Sequence, residues 1–534
     1  MPDNVSSLPM TRRQLLRMIG VAGSGALMYQ AMSGLGFAAE STYRRPPPLT
    51  GSGNGASVLI LGAGLAGLVA AYELRKAGYK VQVLEYNQRA GGRNWTLRGG
   101  DTYTELGGHT QTCQFDQGQY FNPGPWRIPY HHYGVLDYCR QLGVALEPFV
   151  QVNHNAYFHG RDVYGGKPQR LREVKADFQG GISELLAKAS SKGRLDDLVT
   201  KEDREILLEA LRQWGGLNKD FAYASGIESS EHRGYTRDAG GGALGKPEFS
   251  KPANLHDVLN ARLWSNIAAS DQYEYQTTMM QPVGGMDAIA RAFTREVGSL
   301  IRYGAKVTDI AQDGQGVTVT WEDTKAPGTK QQSKADWCLC TIPLSILSQI
   351  PIQVGSAMSA AIGAVPYMSS SKVGLQFSRR FWEEDDAIYG GVSFSDLPIG
   401  MLSYPSHGFG TKKGVLLGSY TFFTEAFEFT ALDPAERIRK ALEYGRQIHP
   451  QYDKTFENGM AVAWHRSPFT LGCFGWWTDE KREKHYADLC AVDGRIALAG
   501  EHASYLPAWQ EGAILSSLSA IDQLHRRALA GGHA

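Results

Sequence analysis

The chain has 534 residues, with 54 Lys plus Arg balanced by 54 Asp plus Glu, so its formal net charge is zero. That length exceeds a single small core and predicts two or three domains, and the charge balance excludes bulk attraction to nucleic acid or to a strongly acidic substrate. Cys113, Cys139, Cys338, Cys340, Cys473 and Cys490 form no CxxC and no ligand spacing with the histidines, so no metal is expected and the thiols are read as mostly free and buried.

Residues 1–39 read as separate from the fold. Thr11-Arg12-Arg13-Gln14-Leu15-Leu16 precedes a mild apolar stretch broken by Ser24, Tyr29, Gln30 and Ser33, then Phe37-Ala38-Ala39. Paired arginines before such a stretch predict a twin-arginine signal, export in the folded state and a periplasmic or secreted destination. The interruptions make it a poor membrane span, so no span is expected in the mature chain. Residues 40–56 form a linker, stiff at Pro46-Pro47-Pro48 and flexible at Gly51-Ser52-Gly53.

The apolar run Val58-Leu59-Ile60-Leu61 then predicts a buried parallel strand, followed at once by Gly62-x-Gly64-x-x-Gly67 and an Ala- and Leu-rich helix that stops near Gly78. A second strand, Val81 to Leu84, ends in Glu85. In this arrangement Gly62 permits the turn, Gly64 lets backbone approach a pyrophosphate and Gly67 brings helix to strand. The helix N-terminus, with Ala66 in its first turn, supplies N–H groups, and Glu85 accepts from a ribose hydroxyl. The motif itself leaves NAD and FAD both open. Further on, residues 133–275 predict a helical insert. Gly285 to Phe293 reads as a helix, Gly304 to Ile310 and Val317 to Trp321 as strands, and Glu322 to Asp336 as a long hairpin connection. Lys372–Phe377 and Val415–Tyr420 are the clearest strands of a mixed region, and Ile496 to Ala499 is a short strand entering Gly500-Glu501.

Arg89-x-Gly91-Gly92-Arg93-x-x-Thr96 resembles the doublet-glycine motif of the flavin amine oxidase family. The resemblance implies FAD, with Arg89, Gly91, Gly92 and Arg93 at its pyrophosphate. It also implies Glu501 of Gly500-Glu501 near the ribityl or phosphate region and the Val307 backbone at the adenine. The fold it implies is α/β. A Rossmann-like FAD-binding domain (57–119, 282–342 and 492–534) would carry a mixed α+β substrate domain (120–132 and 350–488) and a helical domain (133–275).

Gly124-Pro125-Trp126-Arg127-Ile128-Pro129 is similar to the stretch whose arginine clamps the substrate carboxylate in bacterial L-amino acid oxidases. By that likeness Arg127 is the clamp, Tyr420 a second carboxylate contact, and Lys372 the lysine that bonds a water near the flavin. Trp509 and, more weakly, Trp477 are aromatic walls. Ala508 stands where the family often has a glycine whose carbonyl meets the amino group. Cys473 lies where monoamine oxidases carry the thiol bonded to flavin, although the implied binding here is non-covalent. The implied activity is oxidative deamination of an L-amino acid by dioxygen to a 2-oxo acid, ammonia and hydrogen peroxide, with a homodimer as the expected assembly. The alternatives are oxidation of uncarboxylated mono- or polyamines and oxidative decarboxylation to an amide. No residue identifies the preferred side chain or a general base.

Overall fold

The computed structural model describes residues 41–51, 55–195, 198–243, 245–262, 264–269 and 271–531, so the predicted export signal lies outside the described residues. Five strands build the central sheet: β1 (Ser57–Leu61), β2 (Lys80–Glu85), β3 (Ile301–Tyr303), β4 (Trp337–Cys340) and β5 (Ile496–Leu498). All neighbours are parallel, in the order β3-β2-β1-β4-β5. The order reverses at β1, and a crevice beyond the carboxyl ends of such strands is where this architecture takes ligands.

The strands read as continuous apolar runs because both faces are covered. Val58 and Ile60 of β1, with Trp337 and Leu339 of β4, join a core shared with α1 (Leu65–Lys76), α2 (Ala288–Val297) and α3 (Gln510–Gly531). Leu59, Leu61, Cys338 and Cys340 point the other way, into a core shared with an antiparallel sheet and the helix Ser356–Ala364. The two cysteines thus share one face, as their spacing predicts, and every described cysteine is a free thiol.

That antiparallel sheet differs from expectation. Residues 322–336 are not a bare connection, because Lys330–Ala335 pairs with Val317–Asp323, which pairs in turn with Ala305–Gln312. A strand reading Lys-Gln-Gln-Ser-Lys-Ala carries no apolar alternation, and backbone pairing alone defines it.

The substrate-side sheet has seven strands, in the order 456–463, 370–377, 414–422, 401–403, 392–395, 157–159 and 169–170. The last two come from the stretch predicted as helical insert. Tyr157–His159 is too short for period-two patterning to emerge, and its partner Val392–Ser395 is distant in sequence. Leu146–Phe149 likewise pairs with Met279–Pro282. The helical part proper is therefore shorter, built on Leu171–Ser191, Lys201–Gly215, Ile227–Arg233 and Leu255–Asn260. Among the described residues no helix is long and apolar enough to cross a membrane.

Candidate active site

A cleft of about 1560 Å³, including its open mouth, runs from the carboxyl ends of β1 and β2 to the seven-stranded sheet. At one end the three glycines of the first motif separate by role. Gly62 holds a φ of +104°, and a Cβ there would meet the Thr341 hydroxyl at 2.7 Å. A Cβ on Gly67 would lie 2.0 Å from the Gly62 carbonyl oxygen, so this position seats α1 on the turn. A Cβ on Gly64 would meet nothing within 4 Å. Gly64 is also the N-cap of α1 and supplies no side-chain cap, which leaves the first N–H groups of the helix facing the cleft. Open space before uncapped N–H groups is what a phosphate requires.

The second motif is stitched to the first. The Gly91 N–H donates to the Ala63 carbonyl at 2.8 Å, and Gly92 packs beside Gly64. Glu85 closes β2 and is buried; one carboxylate oxygen accepts from the Ala63 N–H at 2.7 Å and the other from Asn87. Glu85, Ala66, Gly91, Gly92 and Val307 all line the cleft. Ser517 of α3 donates to the Ala66 carbonyl at 2.7 Å, tying the C-terminal helix to this end.

Midway along the cleft, Arg93 donates to Glu501 at 2.8 Å and to the Cys473 carbonyl. Glu501 also accepts from the N–H groups of Gly475 and Ala508. One buried carboxylate thus fastens the doublet-glycine loop, the 473–475 segment and the 508–509 corner to each other. Gly500 makes the approach with a φ of +145°, where a Cβ would strike the His502 ring. His502 itself bonds Tyr367, an orienting contact.

At the far end stands Arg127, only 4% exposed. It is not a surface arginine pinned by prolines. Paired backbone hydrogen bonds between Ile128 and Met280 (2.7 and 2.9 Å) hold the segment inside. The guanidinium carbon lies 4.9 Å from the Trp126 ring centre, 4.9 Å from Tyr275 and 5.5 Å from Trp509, an aromatic frame that suits a weakly hydrated planar cation. Arg127, Trp126, Tyr420, Ala508 and Trp509 line the cleft. Ala508 adopts a φ of +69°, in the left-handed region that a glycine takes without strain.

Lys372 is fully buried behind Trp126 and Tyr420, with its Nζ 4.8 and 4.4 Å from their ring centres. It donates to the Gly124 and Asn122 carbonyls. Burial brings its pKa down to about 7, and the Arg127 charge adds to the effect. The lysine therefore supports the backbone that presents Arg127. Cys473 reaches the cleft wall, and burial pushes its thiol pKa up.

Two predicted residues fall elsewhere. Trp477 is buried behind the wall, donating to the His502 carbonyl at 2.8 Å and packing on Tyr486. It is core, and Tyr420, Phe422 and Phe474 face the cleft instead. Arg89 lines a separate cavity and stacks on Trp95 at 4.3 Å, because the turn into Gly91 directs it away from the main cleft. Tyr275 is the residue beside Arg127 that the sequence does not reveal; it sits on a short turn with no motif around it.

The chain matches the model of the flavin containing amine oxidoreductases over residues 65–525. It is 29% identical over 482 residues to the L-amino-acid oxidase of Siganus canaliculatus, spanning 88% of this chain and 86% of that protein. It is also 29% identical over 483 residues to the L-amino-acid oxidase of Vipera ammodytes ammodytes, spanning 88% and 92%. Among solved structures it is similar in fold to the cyclohexylamine oxidase of Brevibacterium oxydans (TM-score 0.58, 16% identity, 88% of this chain and 99% of that one). A putrescine oxidase variant is similar too (TM-score 0.57, 18% identity, 89% and 99%). The cleft joins an uncapped helix end, paired glycine motifs and the Arg93–Glu501 tie, and the chain belongs to the flavin-containing amine oxidoreductase family.

Proposed function

We propose that the protein catalyses the FAD-dependent oxidative deamination of L-amino acids. The amino acid, dioxygen and water give a 2-oxo acid, ammonia and hydrogen peroxide. The observation that carries this reading is the buried Arg127 guanidinium on the cleft wall, framed by Trp126, Tyr275 and Trp509. An uncarboxylated amine has no use for a cation there, whereas a carboxylate is bound by one in a charge-assisted, two-pronged contact.

FAD, when bound, supplies the electron acceptor that dioxygen restores. The chain's own residues do the rest. In this reading Gly64, Gly91, Gly92 and the start of α1 meet the pyrophosphate, Glu85 the ribose and the Val307 backbone the adenine, a reading supported by their common place on the cleft wall. Arg127 orients the carboxylate and, with Tyr420, fixes which way the Cα hydrogen points. Trp509, Tyr420 and Trp126 exclude water from the reacting carbon. Glu501, already bonded to Arg93, Gly475 and Ala508, keeps the two motif loops in register. Cys473 stays a thiol in this reading, so acid precipitation should release the flavin into solution.

The test compares an L-amino acid with its decarboxylated amine in a peroxide assay. Arg127→Ala should lower kcat/KM for the amino acid by about a hundredfold, on the order of 3 kcal/mol for a desolvated charge-assisted contact, and change the amine far less. Equal losses on both substrates would transfer the assignment to an amine oxidase, the activity for which the structurally similar putrescine and cyclohexylamine oxidases are named.

A further inference from the structure

Beside the clamp lies a cluster that the proposed reaction does not use. His131 and His132 follow the Arg127 segment directly, and Glu274 sits on the short turn Tyr273–Tyr275 of the helical insert. All three are at most 1% exposed. Their ligand-type atoms lie within 4.8 Å of one another. His132 Nε2 and Glu274 Oε1 face each other across 4.0 Å, beyond hydrogen-bond reach, and neither atom has another hydrogen-bond partner. Two buried polar atoms left facing each other without a bond are costly unless something sits between them.

We propose that His131, His132 and Glu274 form a three-ligand site for a divalent cation of the zinc class, joining the clamp segment to the helical insert. Two imidazoles and one carboxylate are a donor set that zinc takes together with a water in its fourth position. An ion about 2.1 Å from each ligand would bring the donor atoms to roughly 3.4 Å apart, a contraction that small side-chain rotations supply. The like charge of Arg127 opposes a cation here, and only a Glu274 carboxylate bound to the ion would offset it. The ion's place is structural. It fixes His132, whose ring packs edge-on against Trp509 with centroids 5.0 Å apart, and so fixes one wall of the cleft. The sequence separation of the ligands explains why no spacing motif reveals them.

The site is independent of which amine is oxidised, and metal content rather than turnover tests it. Flavin-loaded protein, dialysed and analysed for metal, should retain one equivalent of zinc per chain. After stripping, added zinc ion alone should restore that stoichiometry and raise the melting temperature. X-ray absorption of the wild-type protein should show nitrogen and oxygen ligands without sulfur. Glu274→Gln, which keeps the shape and removes the charge, should lose the bound zinc while its flavin absorbance reports an intact fold; His132→Ala is the second variant. Wild-type protein that takes up no stoichiometric zinc, sulfur among its ligands, or equal zinc uptake by the Glu274→Gln variant would overturn the site.

Discussion

Lys372 is the residue whose chemistry most depends on the fold. Its pKa falls from 10.5 to about 7 on burial. Between those values the unfolded chain holds a proton that the folded chain has released, so folding stability rises with pH across that window. Below pH 7 the buried charge is a full penalty, held in place only by the Gly124 and Asn122 carbonyls. Lys372→Met should therefore raise the melting temperature most at pH 6, with the gap over wild type narrowing toward pH 10. A gap that stays constant across the range would mean that the carbonyls keep the lysine charged throughout. At this scale the sequence was most informative where a residue is defined by its immediate neighbours. Arg127 between two prolines and the glycines at fixed offsets were legible. Trp477 was not, because the side on which a tryptophan points is decided by His502 and Tyr486 packing around it.

At the scale of elements, the turn from β1 into α1 separates binding from folding within a few residues. Gly64 has open space where a Cβ would stand, and its φ of −67° suits any residue. Gly64→Val should leave the flavin-free protein within about 0.5 kcal/mol of wild type, as for a substitution that touches nothing, yet strip it of flavin. Gly67 is the opposite case. A side chain there must displace the Gly62 carbonyl, so Gly67→Val should destabilise the protein by about 1–3 kcal/mol or more even without flavin. Flavin absorbance per chain and urea midpoints of the flavin-free variants measure the two effects separately. The central strands and α1 were readable because apolar runs and glycine spacing are local signals. Lys330–Ala335 and Tyr157–His159 were not, since a polar strand and a three-residue strand are specified by partners elsewhere in the chain.

At the scale of the molecule, the arrangement of the parallel sheet followed from the resemblance, while the border between sheet and helical insert did not. An export role for Arg12 and Arg13 makes its own prediction. Changing both to Lys should leave folded, yellow precursor in the cytoplasm, whereas unchanged export in a cell fractionation would remove the assignment.

The parallel sheet takes its five strands from three well-separated stretches of chain, with β1 and β2 near the start, β3 and β4 in the middle, and β5 and α3 at the end. A ribosome therefore delivers the first glycine turn hundreds of residues before Ser517 arrives to hold it and Glu501 arrives to bond Arg93. Until the middle of the chain is made, β1 and β2 expose the edges that β4 and β3 later cover, and β4 then waits for β5. The pairings that close the sheet are among the most distant in the molecule, and such contacts form late and slowly. Loss of the last forty residues would thus remove more than a tail. It would leave a chain without the Glu501 tie to Arg93 and with its central sheet open at β4.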